Sequence, residues 1–283
     1  MKTFKTYSLL IAILSISLFS CDVIEEPFTE EIIVEECTQK CRKILLEDYT
    51  GHKCGNCPRA AEKVQELQEI FGEYIVPIAV HAGWFAIPSP SGEKYRTDFR
   101  TGTGEIWDTH FGNSLAGNPN GMINRINYPA VDHIYQHSVW AQKIQELLTT
   151  EPDVYIEITP TYTALDNSIS VLTETEILKE LNASLNITVV LTESHILDYQ
   201  TDYNLDEVDV SNYEHNHVLR ASLTGAWGLD LGKEVYAIND KINKSLSIEL
   251  DSSWVVANLS VIAFVSNTNT FEVLQAEEIH LTE

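Results

Sequence analysis

The sequence predicts an α/β unit followed by an all-β unit, and three observations carry that prediction. Between residues 43 and 148, apolar runs of strand length alternate with stretches of helical period. From Val154 onward the helical period gives way to short strand-like runs separated by turn residues. Glu151-Pro152-Asp153 interrupts the pattern where the period changes, so the boundary falls there, with units at 37–151 and 152–283. A chain of 283 residues has room for two ordinary domains.

The first element is an export segment. Lys2 and Lys5 precede an apolar run, Leu9 to Phe19, that is too short for a comfortable membrane span. It ends Leu18-Phe19-Ser20-Cys21, which resembles a bacterial lipobox. Residues 1–20 are therefore expected to be a lipoprotein signal peptide and Cys21 the acylated first residue of the mature chain. A plain signal peptide cleaved elsewhere, or an uncleaved anchor, is the alternative. Residues 21–36 read as an acidic tether. The chain has 18 Lys and Arg against 42 Asp and Glu. That balance argues against a nucleic-acid partner, whose phosphates would be repelled, and leaves the lipid anchor as the contact with a membrane.

The α/β unit opens with an extended segment, Arg42 to Tyr49, whose Ile44-Leu45-Leu46 core is apolar without alternation, as in a strand covered on both faces. Next come Cys54-Gly55-Asn56-Cys57-Pro58 and a helix to about Phe71, with Ala61, Val64, Leu67, Ile70 and Phe71 on one stripe and Gly72 as its stop. Tyr74 to His81 is the next strand, and Pro77 within it implies a bulge or a late start to pairing. Strand, helix and strand at this spacing imply a right-handed parallel crossover. A loop from Gly83 to Gly104, a short helix carrying Trp107, a turn at Asn118-Pro119 into a short strand, and a helix from His137 to Leu148 complete the unit. Trp84, Trp107 and Trp140 are expected in the core.

Seven strand-like runs follow, beginning at Val154, Ser168, Ser184, His217, Ser245, Leu259 and Phe271. Seven short strands in a domain of this length predict an antiparallel sandwich of immunoglobulin-like type. Asp198 to Asp209 reads as an acidic loop.

Besides Cys21, four cysteines remain, Cys37, Cys41, Cys54 and Cys57, in an exported protein where disulfides are favoured. They allow three pairings. A four-thiolate zinc site is the competing idea. An extended Arg42–Tyr49 separates its ends by roughly 25 Å at 3.3 Å per residue, which disfavours both that site and pairing across the strand. Two local pairs fit better, Cys37 with Cys41 as a structural staple and Cys54 with Cys57 as the candidate for chemistry.

Cys54 and Cys57 fall at a strand-to-helix junction, where unpaired N–H groups and the helix dipole favour a thiolate. On this reading Cys54 is the attacking sulfur at the exposed mouth of the loop. Cys57, inside the first helical turn, is the resolving thiol. His52 and Lys53 supply positive charge that favours the Cys54 thiolate. The bland alternative is an inert disulfide pinning loop to helix. His215 and His217 have strand period and could share a metal, although a structural role is favoured. Asp202, Asn204 and Asp206 mimic the start of a calcium loop without its glycine or bidentate glutamate. No cofactor is implied, since the chain has no Walker loop, dinucleotide glycine motif or Ser-His-Asp signature.

The order of strand, Cys-x-x-Cys helix, strand, helix, proline turn, strand and helix resembles the thioredoxin fold. In that family a cis-proline loop lies against the disulfide, and Pro119 matches its position, shaping a groove for a substrate cysteine strand. Asn118 departs from the usual Ile, Thr or Val, and His52-Lys53 from the usual Trp. More broadly, Glu47 to Pro58, Gly121 to Arg125 and His215 to Arg220 resemble segments of a Bacteroidetes lipoprotein family, the twenty-eight-kilodalton outer-membrane protein family. That resemblance implies a thioredoxin-like N-terminal domain, an immunoglobulin-like β-sandwich domain and an outer-membrane lipid anchor. Asp22, Glu25 and Glu26 after Cys21 resemble a signal for display at the cell surface. The expected activity is thiol–disulfide exchange with envelope proteins. The rival is a non-enzymatic adhesin or assembly component with structural disulfides only.

Overall fold

The first strand, β1 (Ile44–Thr50), is buried along its whole length because it lies inside a sheet covered on both faces. In the computed structural model, residues 40–281 other than 131 are described. The signal peptide, Cys21, the acidic tether and Cys37 lie outside the described residues.

Helix α1 (Cys57–Phe71) follows β1 and ends at Gly72 as expected. Its buried face is Cys57, Pro58, Ala60, Val64, Leu67 and Phe71, so Ala61 and Ile70 of the expected stripe face outward. Strand β2 (Ile75–His81) runs parallel to β1 in unbroken register from Ile44↔Ile75 to Thr50↔His81. Helix α2 (Gly102–Phe111) begins at Thr101, whose side-chain oxygen accepts from the Gly104 amide and so occupies one of the free donors of the first turn. A single turn, α3 (Asn113–Ala116), leads to β3 (Asn120–Ile123), which pairs antiparallel with the other edge of β1. Helix α4 (Trp140–Leu148) packs Trp140 against Gly121.

The remaining elements are strands: β4 (Val154–Thr163), β5 (Ser168–Ile177), β6 (Leu181–Asn182), β7 (Leu185–Glu193), β8 (Ile196–Thr201), β9 (Asp209–His215), β10 (Val218–Ser222), β11 (Leu229–Asp230), β12 (Val235–Tyr236), β13 (Lys241–Glu249), β14 (Leu259–Asn267) and β15 (Val273–His280). The eight-stranded sheet has the order β15-β14-β7-β10-β2-β1-β3, with β11 added to β7. Strands from both sides of residue 152 thus share one sheet. A second sheet, β13-β5-β4, packs on it through Ile156, Val171, Ile187, Val189, Val261 and neighbouring aliphatics. The described part of the chain is therefore mostly β-sheet, with its α-helices between Cys57 and Leu148.

Pro77 lies where the pairing of β2 with β10 ends. The Ala79 amide donates to His217 O at 2.8 Å, and β10 pairs with β2 only at Val218↔Ala79. Residue 77 presents its nitrogen to the same side, two residues beyond the end of β10, where no donor is needed. The late start to pairing is realised there, without a bulge between β1 and β2. Left open next to Pro77 is a cavity that this residue lines.

Three expectations change. Trp84 is 77% exposed, whereas Trp107 and Trp140 are buried. The acidic stretch Asp198–Asp209 is not a simple loop, since its ends belong to the hairpin β8–β9, which forms a sheet of its own. His215 and His217 do not continue one strand, because His217 takes a left-handed backbone (φ 56°) between β9 and β10.

Candidate functional site

Cys54 and Cys57 form a disulfide with Cα atoms 5.4 Å apart. Cys41 is disulfide-bonded as well, and its expected partner Cys37 lies outside the described residues. The Cys54 amide donates to Gly51 O (2.9 Å) and the Cys57 amide to Cys54 O (3.1 Å), so the loop closes on itself as α1 begins. Helix α1 starts at Cys57, and Cys54 sits in the preceding turn rather than in the helix. Gly51 is required here, since a Cβ would meet the Phe85 backbone carbon at 2.5 Å.

The register Tyr49↔Asn120 brings Pro119 to the end of β1 from which the disulfide loop departs. The Asn118–Pro119 peptide is cis, as the thioredoxin resemblance anticipates. Both polar side-chain atoms of Asn118 are buried without a partner. The neighbouring turn is held by Asn120, whose amide donates to Asn113 O and Gly117 O.

Two sequence expectations about the sulfurs do not hold. Cys54, expected at an exposed mouth, is 3% exposed, and Cys57 is 2% exposed. The cover comes from the hairpin β8–β9. Gln200 Nε2 donates to Cys54 O (3.0 Å), Thr201 N to His52 O (2.8 Å) and Tyr203 N to Gly55 O (2.8 Å). The Tyr203 ring lies so near Gly55 that a Cβ there would come within 2.5 Å of it. His52, expected to supply positive charge, is buried against Tyr95 and Phe99, and burial lowers its pKa, which keeps it neutral at neutral pH. Lys53 is half-buried and remains the nearby cation.

Sequence reasoning passed over Asp48. Its side chain is buried, its Oδ1 has no partner, and burial raises its pKa to about 7. Asp48 and Cys57 line one cavity of about 320 Å³ with His81, Tyr213, His215 and His217. His81 has neither ring nitrogen bonded, and burial holds its pKa well below the ordinary value. Burial also lowers His215 and His217 to about 4. His217 is anchored to Gln68 Oε1 at 3.0 Å and His215 leans on Tyr199 O at 3.4 Å. No metal-binding cluster occurs among the described residues. Asp202 of the calcium-like stretch is buried, and its carboxylate accepts from the Asn204 amide and side chain, closing a turn.

One signal for Asp48 was present in the sequence. Two carboxylates, Glu47 and Asp48, follow Ile44-Leu45-Leu46 in a strand read as doubly covered, where acidic residues seldom go unless paired or neutral. Glu47 is paired, with Arg125 Nε and Nη2 each 2.8 Å from its oxygens. Nothing local indicated that the hairpin would return to cover the disulfide loop about 150 residues away.

A family model described as outer membrane protein Omp28 matches residues 108–283. The matched region does not include the disulfide. Among solved structures, HBP35 of Porphyromonas gingivalis is similar at 15% identity and a TM-score of 0.62, with 86% of this chain and 76% of that one covered. A protein from Agrobacterium tumefaciens is similar at 12% identity and a TM-score of 0.50, covering 87% and 97%. A domain of the outer membrane lipoprotein Omp28 from Porphyromonas gingivalis is 21% identical over 46% of this chain and 89% of its own, with a TM-score of 0.32. At these identities the first two speak to fold alone. No curated protein matches.

Proposed function

The chain belongs to the outer membrane protein Omp28 family, and from that premise we propose that it is a lipid-anchored protein exchanging thiols and disulfides with other envelope proteins. Its place is the outer membrane. The lipid is carried by Cys21 after removal of residues 1–20, and the acidic run behind it directs the protein to the cell surface. The exchange unit is thioredoxin-like and spans 37–151. The partner-positioning unit, 152–283, is an immunoglobulin-like sandwich.

One observation carries the redox reading. A Cys54–Cys57 disulfide at a strand-to-helix junction shares a cavity with a buried, unpartnered carboxyl whose pKa is about 7. A thiolate of a substrate protein attacks Cys54 Sγ and the Sγ–Sγ bond breaks. Cys57 leaves as a thiolate and takes a proton, for which Asp48 is the nearby donor. A second substrate thiolate then attacks the substrate-side sulfur of the mixed disulfide and releases Cys54. The substrate dithiol has lost two electrons and the Cys54–Cys57 pair has gained them. Run backwards, the same steps reduce a substrate disulfide.

Burial of both sulfurs favours a second reading, a binding or assembly component whose disulfide is structural. The reduction potential and an insulin-reduction assay separate the two, with Cys54→Ser as the inactive control. A potential above about −300 mV with measurable turnover supports exchange, and one below it without turnover supports the structural disulfide.

A further inference from the structure

The polypeptide covering the disulfide has the marks of a movable element. Among the described residues, strands β8 and β9 pair only with each other and lie outside the eight-stranded sheet. The hairpin is flanked by two non-glycine residues with left-handed backbone, His195 (φ 59°) before it and His217 (φ 56°) after it. Leu197, Tyr203, Leu205 and Val208 are exposed, so the hairpin turns much of its apolar surface to solvent. Elements with few buried apolar contacts open at low free energy.

Ring contacts of Tyr199 with Tyr95 and of His215 with Phe99 and His81 hold it at its two strands, and the other ties are polar. Toward the disulfide they are Thr201 N to His52 O, Tyr203 N to Gly55 O and Gln200 Nε2 to Cys54 O. On the outer side, Asp209 accepts from Lys94 Nζ (2.7 Å) and Tyr95 Oη (2.5 Å), and Thr97 bonds Asp198. Arg59 Nε reaches Asn204 Oδ1 at 2.8 Å. Two of the three inner ties are backbone amides donating to loop carbonyls, Thr201 at the end of strand β8 and Tyr203 in the turn that follows. Any extended polypeptide can offer the same donors.

Resting on the exchange reading above, we propose that the hairpin Ile196–His215 is an autoinhibitory flap whose Gln200–Tyr203 segment lies where an extended, cysteine-bearing polypeptide binds. A substrate polypeptide displaces it by taking over the His52 and Gly55 carbonyls, and only then does its sulfur reach Cys54. Small thiols and folded proteins without an extended cysteine segment are excluded while the flap is down.

Two variants of the full chain test this from opposite sides. Gln200→Ala with Tyr203→Ala removes the side-chain bond to Cys54 O and the ring over Gly55, and Tyr95→Phe with Asp209→Asn removes the Tyr95 bond and the charge that faces Lys94. Reduction of the oxidised protein by a water-soluble phosphine is followed by counting free thiols. The phosphine becomes its oxide, with oxygen from water, as the S–S bond becomes two thiols. Each variant is expected to react about tenfold faster than wild type at unchanged Tm, and the Thr201 and Tyr203 amides to exchange hydrogen faster than those of β7. Unchanged phosphine rates in both folded variants overturn the flap. A reduced dithiol peptide is then offered as substrate. Faster phosphine reduction without any peptide exchange keeps the flap and removes the exchange reading. Should one variant fail to fold, the other decides alone.

Discussion

Glu47 and Asp48 are neighbours on one strand, both buried, and their sides of the sheet have been built for different ends. On the Glu47 side, the carboxylate meets Arg125 in two 2.8 Å hydrogen bonds. The guanidinium stacks within about 5 Å of Trp107, Phe111 and Phe264. The fork of Arg matches the carboxylate and its flat faces suit aromatic rings. On the Asp48 side, one carboxylate oxygen and both His81 nitrogens have no partner, and the space between them and Cys57 is a cavity. A satisfied pair fixes structure. An unsatisfied buried acid is costly, and such costs gather at functional sites.

Breaking the satisfied side has the largest expected effect. Arg125→Met leaves the buried Glu47 carboxyl without its partner, and urea unfolding should show a loss of about 3–5 kcal/mol. Adding Glu47→Gln should restore much of that loss, because the unpaired buried acid is then gone. A double variant no more stable than Arg125→Met would mean that the aromatic stacking, not the charge pair, holds this side.

Asp48→Asn should act in the opposite direction. The folded carboxyl ionises near pH 7 and the unfolded one near the ordinary value, so the folded state binds more protons between them. Wild-type stability therefore falls as pH rises through that interval and is level above it. The variant should gain on the order of 2–4 kcal/mol at pH 8, gain nothing below pH 4, and exchange thiols more slowly. Equal stability at pH 8 would mean that the carboxyl is already ionised and solvated.

The histidines of the same cavity oppose this trend. His217 is held neutral to about pH 4, so unfolding takes up a proton as pH drops below the ordinary histidine value. Stability is complete above that value and is lost as pH falls towards 4. In His217→Asn, which tolerates the left-handed backbone, up to about 3 kcal/mol of this acid loss should vanish. Loss of the bond to Gln68 should cost about 1 kcal/mol at pH 7.5. Parallel pH–stability curves for wild type and variant would argue that His217 titrates normally.

The smallest change sharpens the paired side. Tyr49 carries a buried hydroxyl without a partner. Tyr49→Phe should be neutral or stabilising by up to about 1 kcal/mol, read from Tm, and a clear loss would reveal a hydrogen bond to water.

Local pattern gave the elements. The Ile44–Leu46 run, the stop at Gly72, the turn at Pro119 and the starts of six of the seven C-terminal runs lie within two residues of observed boundaries, because burial period and breaker residues act over one element's length. His217 departs from the strand period expected of it because a left-handed residue breaks that period without a glycine or proline to announce it. The candidate site was half legible, since Cys54, Cys57 and Pro119 belong to a recognisable order of elements.

The sequence by itself determined that a Cys54–Cys57 pair precedes a helix, that the chain changes from mixed to all-β near Pro152, and that its charge is strongly negative. Only the tertiary structure decided that Arg125 answers Glu47, that Asp48 is left without a partner beside Cys57, and that Gln200 and Tyr203 close over the sulfurs. The physical reason is range. Period, capping and turn chemistry are set by residues a few positions apart, whereas desolvation and charge pairing depend on which distant segment is packed alongside.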